Sequence, residues 1–268
     1  MKHYIVTFGK SLIVGSTMLV PGVSGGSMAM ILGIYTKLIS AVSSFMKDKI
    51  RNFFFLSVFL AGSLLGIVSF SKPILHLIET YPMPMLYFFM GAVAGSVPLM
   101  LKQAKITHFS WTTPIYIAVG FMVVFFFETT PISTVSASDK ANWYTYLLLI
   151  IAGFIAAIAL VLPGISVSYM LLLLGLYDET MRAASEFYLP FLLPLGFGLV
   201  AGILLTTKLL EKLMNEHPRP TFLIILGFIL GSLLELYPGM PTSSEIIICM
   251  VTLILGFGII NYISSKDN

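Results

Sequence analysis

Two stretches of this chain gather the residues that could do chemistry: PGVSGGSMAMILGIY at 21–35 and PGISVSYMLLLLGLY at 163–177, identical at seven of fifteen positions. Each puts proline, glycine and serine into surroundings that are almost wholly apolar. Such a loop breaks a helix, and a helix broken inside hydrocarbon leaves backbone N–H groups that protein, water or a ligand must satisfy. The residues after each loop begin a new helix. Gly26, Ser27 and Met28, and likewise Ser168, Tyr169 and Met170, can therefore aim N–H groups and a positive helix end at an anion. Gly25 and Gly26 let a bulky head group approach the backbone, and Ser24, Ser27, Ser166 and Ser168 add hydroxyl donors. A tight turn whose serines cap the next helix is the plainer use of the same residues.

No constellation for covalent catalysis stands beside them. Cys249 is the single cysteine, and His3, His76, His108 and His217 lack metal-ligand spacing, so no metal or cofactor is expected. Glu128 and Glu235 lie near the ends of apolar segments, as interfacial residues or proton sites. The net charge of +3 is modest, and nucleic acid is not indicated.

The elements that must position the loops follow from composition. With 57% hydrophobic and 10% charged residues and a mean hydropathy of +0.97, the chain reads as an all-α integral membrane protein, a single transmembrane domain over 1–268. Apolar runs lie near 4–20, 27–45, 53–71, 84–101, 114–128, 144–162, 169–185, 189–207, 220–237 and 244–263, most of them close to the ~20 residues that cross a bilayer. Lys10 interrupts the first run and no small-x-small site follows, so this start is expected to be retained and not cleaved as a signal.

The loop match at an offset of 142 continues at 136, pairing Gly62 with Gly198, Gly66 with Gly202, Lys72 with Lys208, Pro82 with Pro218, Gly91 with Gly227 and Gly95 with Gly231. The change of offset falls near KDKIRN at 47–52. Duplication is the simplest source, with repeats at 1–130 and 142–268. Each repeat crosses five times if its first two segments both span, or three times if they form a re-entrant hairpin. Either count is odd, so the second copy is expected to be inverted. The glycine pairs have the small-xxx-small spacing of close helix packing.

On this topology one face receives Lys2, Lys47, Lys49, Arg51, Lys102, Lys105, Lys208, Lys212, Arg219 and Lys266, and the other only Lys72, Lys140 and Arg182. Both termini are then expected on the cytoplasmic side. The other face collects Glu79, Asp139, Asp178, Glu179 and Glu186, and Tyr81, Trp111, Trp143 and Tyr144 fall at segment ends. Lys10 and Lys37 each lie eleven residues from the first loop, about 16 Å along a helix. A loop at mid-membrane would put both at the surface, as the first hairpin being re-entrant requires.

PGVSGGSMAMILGIY, preceded by GSTMLV and echoed by LPGISVSYMLLLLGLYDE, resembles the motifs of the PopT-type polyprenyl-phosphate transporters, a bacterial family once classed as a domain of unknown function. The resemblance covers essentially the whole chain. It implies a plasma-membrane protein that returns undecaprenyl phosphate from the outer to the inner leaflet, with the polyprenyl phosphate lipid and membrane lipids as its partners. The family's second motif is expected to have Gly where this chain has Val167. On that reading the phosphate-binding residues are Ser24, Gly25, Gly26, Ser27, Ser166, Ser168 and Tyr169, with Arg182 at the entry and Lys37 or Lys10 at the exit. Two other readings stay open: a polyprenyl-pyrophosphate phosphatase of the BacA type, whose loop carries an Arg where this chain has glycine, and a small-anion carrier.

Overall fold

The computed structural model describes residues 2–18, 23–106, 110–129 and 143–266. Pro21, Gly22, His108, Asp139 and Lys140 lie outside them, as do the side chains of Lys2, His3, Glu128, Glu235 and Lys266. The described residues form thirteen α-helices and no strand. In chain order these are α1 (Lys2–Thr17), α2 (Gly25–Ile31), α3 (Tyr35–Ser43), α4 (Lys49–Thr80), α5 (Pro82–Gln103), α6 (Thr112–Thr129), α7 (Trp143–Val161), α8 (Val167–Leu173), α9 (Tyr177–Ser185), α10 (Leu189–Glu216), α11 (Pro218–Gly231), α12 (Leu233–Leu236) and α13 (Ile246–Lys266). Among the described residues five are long and apolar enough to cross a membrane, and the bent pair α2–α3 is either a sixth, broken span or a re-entrant loop. The protein is a multi-pass membrane protein.

The expected apolar segments 27–45 and 169–185 are not continuous helices. Each breaks after seven residues, α2 at Gly33 and α8 at Gly175, where φ is +68° and +67°. Both breaks are Schellman caps: Gly33 N–H donates to Met30 O and Ile34 N–H to Ala29 O, while Gly175 N–H donates to Leu172 O and Leu176 N–H to Leu171 O. Ile34 and Leu176 are buried beside them, supplying the hydrophobic contact that accompanies such a cap. A left-handed residue turns the chain sharply, and α2 and α3 diverge by 118°.

Glycine decides how the long helices pair. α1 lies along α4 and α7 along α10, while α5 pairs with α13 and α11 with α6. A Cβ at Gly62 would lie 2.1 Å from Ser11 Oγ, and one at Gly66 2.1 Å from Leu12 O. Gly198 meets Ile150 O at 2.0 Å in the same way, Gly91 meets Leu253 O at 2.0 Å, and Gly227 meets Ile117 O at 2.2 Å. Any side chain at these positions would push the backbones apart, so the small-xxx-small pairs are packing seams. At the helix ends Tyr81, Trp111, Trp143 and Tyr144 are exposed, as interfacial aromatics should be.

The largest core cluster joins α2 and α11, both of which contact α5: Ala29, Met30 and Ile31 belong to it with Phe89, Ala92 and Val93 and with Leu223, Ile225 and Ile229. Tyr4 near the start of α1, Lys37 on α3 and Arg51 on α4 line one cavity. After α2 the chain therefore returns, with α3, to the end where α1 began.

Candidate functional site

Ser24 closes the first turn of α2. Its backbone is extended (φ −80°, ψ 147°) and its hydroxyl accepts from Ser27 N–H at 3.0 Å. Ser166 plays the same part for α8, accepting from Tyr169 N–H at 3.4 Å. Both serines are N-caps, so the plainer use is real, and it leaves further hydrogen-bonding capacity at each hydroxyl.

The two loops meet. Gly164 N–H, in the second loop, donates to Ser27 Oγ at 2.8 Å and to Ser24 Oγ at 3.2 Å, and these hydroxyls lie 2.8 Å from each other. Of the two hydroxyl protons, one is used in the Ser24–Ser27 bond and the other is left for a further acceptor. Gly26 faces Pro163 with 3.4 Å between an added Cβ and the proline Cα, a normal contact. Gly164 itself has φ +83°, and a Cβ there would stand 2.3 Å from Phe228 O. The glycine that the backbone requires is thus Gly164, while Gly25 would bring its Cβ only against the Met18 side chain at 3.2 Å.

A second crossing bond braces the same region. Tyr35 Oη donates to Val161 O at 2.7 Å, and both residues are buried. Tyr169 Oη instead donates to Phe127 O at 3.0 Å. The structure thus brings Ser24, Ser27 and Gly26 against the second loop, keeps Gly25 half-buried beside them, and leaves Ser168 exposed.

The three cations part company. Lys10 is half-buried, with its ammonium 2.7 Å from the carbonyl of Leu32, the C-cap of α2. There its charge faces the negative end of the broken helix. Lys37 is exposed in a cavity of about 470 Å³ that also holds Lys47 and Arg51. Arg182 is exposed on α9, four residues from both Asp178 and Glu186.

Sequence reading missed Gly164, Tyr35 and Glu211. The first two stand inside the repeated motif, where the proline-glycine pair and the closing tyrosine carried the signal. Glu211 on α10 accepts from the hydroxyls of Ser43 and, at 2.8 Å, Ser44, tying the end of α3 to α10. No local pattern announces a bond across that sequence distance.

Known proteins resemble this chain in sequence over most of its length. The chain is 35% identical over 260 residues to the polyprenyl-phosphate transporter of Staphylococcus aureus, covering 92% of each chain. It is 30% identical over 259 residues to the polyprenyl-phosphate transporter of Vibrio cholerae, covering 90% of this chain and 80% of that one. No solved structure matches it. A family model described as VCA0040-like, undecaprenyl phosphate translocase-like, matches residues 14–251, and the chain belongs to that family.

Proposed function

We propose that the protein carries undecaprenyl phosphate from the outer to the inner leaflet of the bacterial plasma membrane, without covalent chemistry, the phosphate passing where the two loops cross. The observation that carries this reading is the pair of bonds from Gly164 N–H to the Ser24 and Ser27 hydroxyls. They bring the second loop, two residues before the N-cap of α8, onto the capped first turn of α2, which supports a seat for an anion between the loops. The relatives named as polyprenyl-phosphate transporters support the substrate, and their being transporters fits a non-enzyme.

Two inverted repeats, 1–130 and 142–268, make the crossing symmetric in principle. The matched helix pairings α1–α4 with α7–α10, and α5–α13 with α11–α6, support them. In the first repeat the return of α3 to the starting end supports a re-entrant hairpin and three crossings. The basic end, with Lys47, Lys49, Arg51, Lys208 and Lys212, is the cytoplasmic one by the excess of Lys and Arg, and both termini lie there. A lipid monophosphate carries ~1.5 to 2 negative charges. Helix starts supply at most ~+0.5 each, so roughly half to one charge falls to other groups. Arg182 at the entry, Lys37 at the exit and Lys10 behind α2 are placed to cover it, with Ser166, Ser168 and Tyr169 completing the seat begun by Ser24, Gly25, Gly26 and Ser27.

Purified protein in vesicles should flip a fluorescent undecaprenyl phosphate at least tenfold faster than protein-free vesicles, and the pyrophosphate more slowly. Equal rates with and without protein would refute the proposal. Release of phosphate from the pyrophosphate lipid would establish the phosphatase instead.

A further inference from the structure

The cavity between α3 and α4 is built from unlike parts. Lys37 comes from α3, Lys47 from the 3-10 turn at Phe45–Lys47, and Arg51 from the first turn of α4, with Tyr4 of α1 and Phe55 of α4 as an aromatic wall. Its volume of about 470 Å³ falls within the roughly 300–1,000 Å³ of small-molecule sites.

Its polar floor is held in place by bonds that do not use the cations. Asn52 Nδ2 donates to Ser44 O at 3.1 Å, Ser44 Oγ donates to Glu211, and Asp48 caps α4 by accepting from Arg51 N–H at 3.3 Å. Among the described residues no carboxylate forms an ion pair with Lys37, Lys47 or Arg51. The lining carries three positive charges and the one negative charge of Asp48, a net of +2 (3 − 1), and Glu211 behind the floor, close enough to Lys47 to interact with it, lowers the corner to +1 (3 − 2).

The matching corner of the other half argues that this charge is not a by-product of the fold. At the offset of 142, Tyr35, Ala41, Ser43 and Phe45 align with Tyr177, Ala183, Ser185 and Phe187, so the backbone plan is shared. The charges differ: Lys37 aligns with Glu179, Lys47 and Arg51 align with Leu189 and Leu193, and α9 with its C-cap carries Asp178, Glu179 and Glu186 against Arg182, a net of −2 (1 − 3).

We infer that the α3–α4 corner is a second phosphate site, which receives a phosphomonoester dianion at the membrane surface after it leaves the crossed loops. Three cations on one cavity, without an ion pair of their own, leave an excess of positive charge for such a group, and Tyr4 and Phe55 offer an apolar rest for the first carbons attached to it. The lipid as the source of that phosphate rests on the transport reading above. Inorganic phosphate shares the chemistry.

The test is protection of a thiol in the full-length protein. Ser40, which lines the cavity, is changed to cysteine in a Cys249→Ala background, and its labelling by a water-soluble maleimide is followed as farnesyl phosphate or inorganic phosphate is added. Farnesyl phosphate should protect the thiol at one-tenth or less of the inorganic phosphate concentration, and Lys37→Gln/Lys47→Gln/Arg51→Gln should raise its half-protecting concentration at least tenfold. Equal protection by the two probes, lost in the triple variant, keeps the phosphate site and assigns it to free phosphate. Absence of protection, or protection unchanged in the triple variant, overturns the site. Flipping is measured in the same preparation: protein that flips lipid without protecting the thiol overturns this corner alone, and protein that protects without flipping overturns the transport reading alone.

Discussion

In the first broken-helix module, residues 24–47, α2 is buried along its apolar face and α3 is tied to α10 through Glu211; in the second, residues 166–189, α8 exposes Ser168 and α9 buries only Ala183. Both have the same capped start, the same seven-residue helix and the same glycine break. Shared backbone instructions therefore sit in different packing. The first module is anchored within the bundle, and the second has fewer restraints, so opening of the crossing is expected to begin on its side.

The largest break in this comparison should come from Gly164. Gly164→Ala forces a left-handed residue, costing ~1–3 kcal/mol, and drives a methyl into Phe228 O. Membrane abundance and thermal stability should both fall sharply, whereas Gly26→Ala, whose Cβ meets only normal contacts, should fold.

Next comes the anchor. Glu211→Ala removes the acceptor for two hydroxyls, worth about 2–3 kcal/mol for hydrogen bonds to a charged group. Amide exchange in α3 should rise at least tenfold, towards that of α9, with α9 unchanged. If α3 exchanges as before, packing and not Glu211 distinguishes the modules.

A smaller effect is expected at Tyr35. Tyr35→Phe unpairs a buried bond to Val161 O and should cost about 1 kcal/mol in stability. Tyr177, half-buried at the matching position, should tolerate the same change within ~0.5 kcal/mol. Equal losses would mean that the hydroxyls do not set the modules apart.

How much of this was legible in the chain depends on the range of the cause. Helical class followed from hydropathy, and the capping of α2 and α8 was readable because Ser24 and Ser166 stand three residues before the N–H groups they bind. The breaks after Ile31 and Leu173 were missed, although Gly33 and Gly175 were in view: an apolar run keeps its average across a glycine, and only φ reveals the turn. The crossing of the loops could be expected from inversion, but its donor, Gly164, could not be chosen over its neighbours. The bond from Lys10 to Leu32 O was not legible, because distance along a helix does not say what an ammonium meets. The basic corner was dispersed over Lys37, Lys47 and Arg51, on three elements that only the fold assembles.

The central claim is that phosphate passes against the first loop, and Gly25 tests it most directly. Valine already occupies the matching position 167, and the nearest atoms to a Cβ at 25 belong to the exposed, flexible Met18 side chain. Flipping of fluorescent undecaprenyl phosphate is to be compared in vesicles holding equal amounts of wild type, Gly25→Val and Val167→Gly. Gly25→Val should insert and fold yet flip at least tenfold more slowly, about 1.4 kcal/mol of added barrier, because two methyls stand where the head group must approach the backbone. Val167→Gly should flip at least as fast as wild type. Wild-type flipping by Gly25→Val would contradict the account, leaving the first loop as a hinge and moving the seat to Ser166 and Ser168.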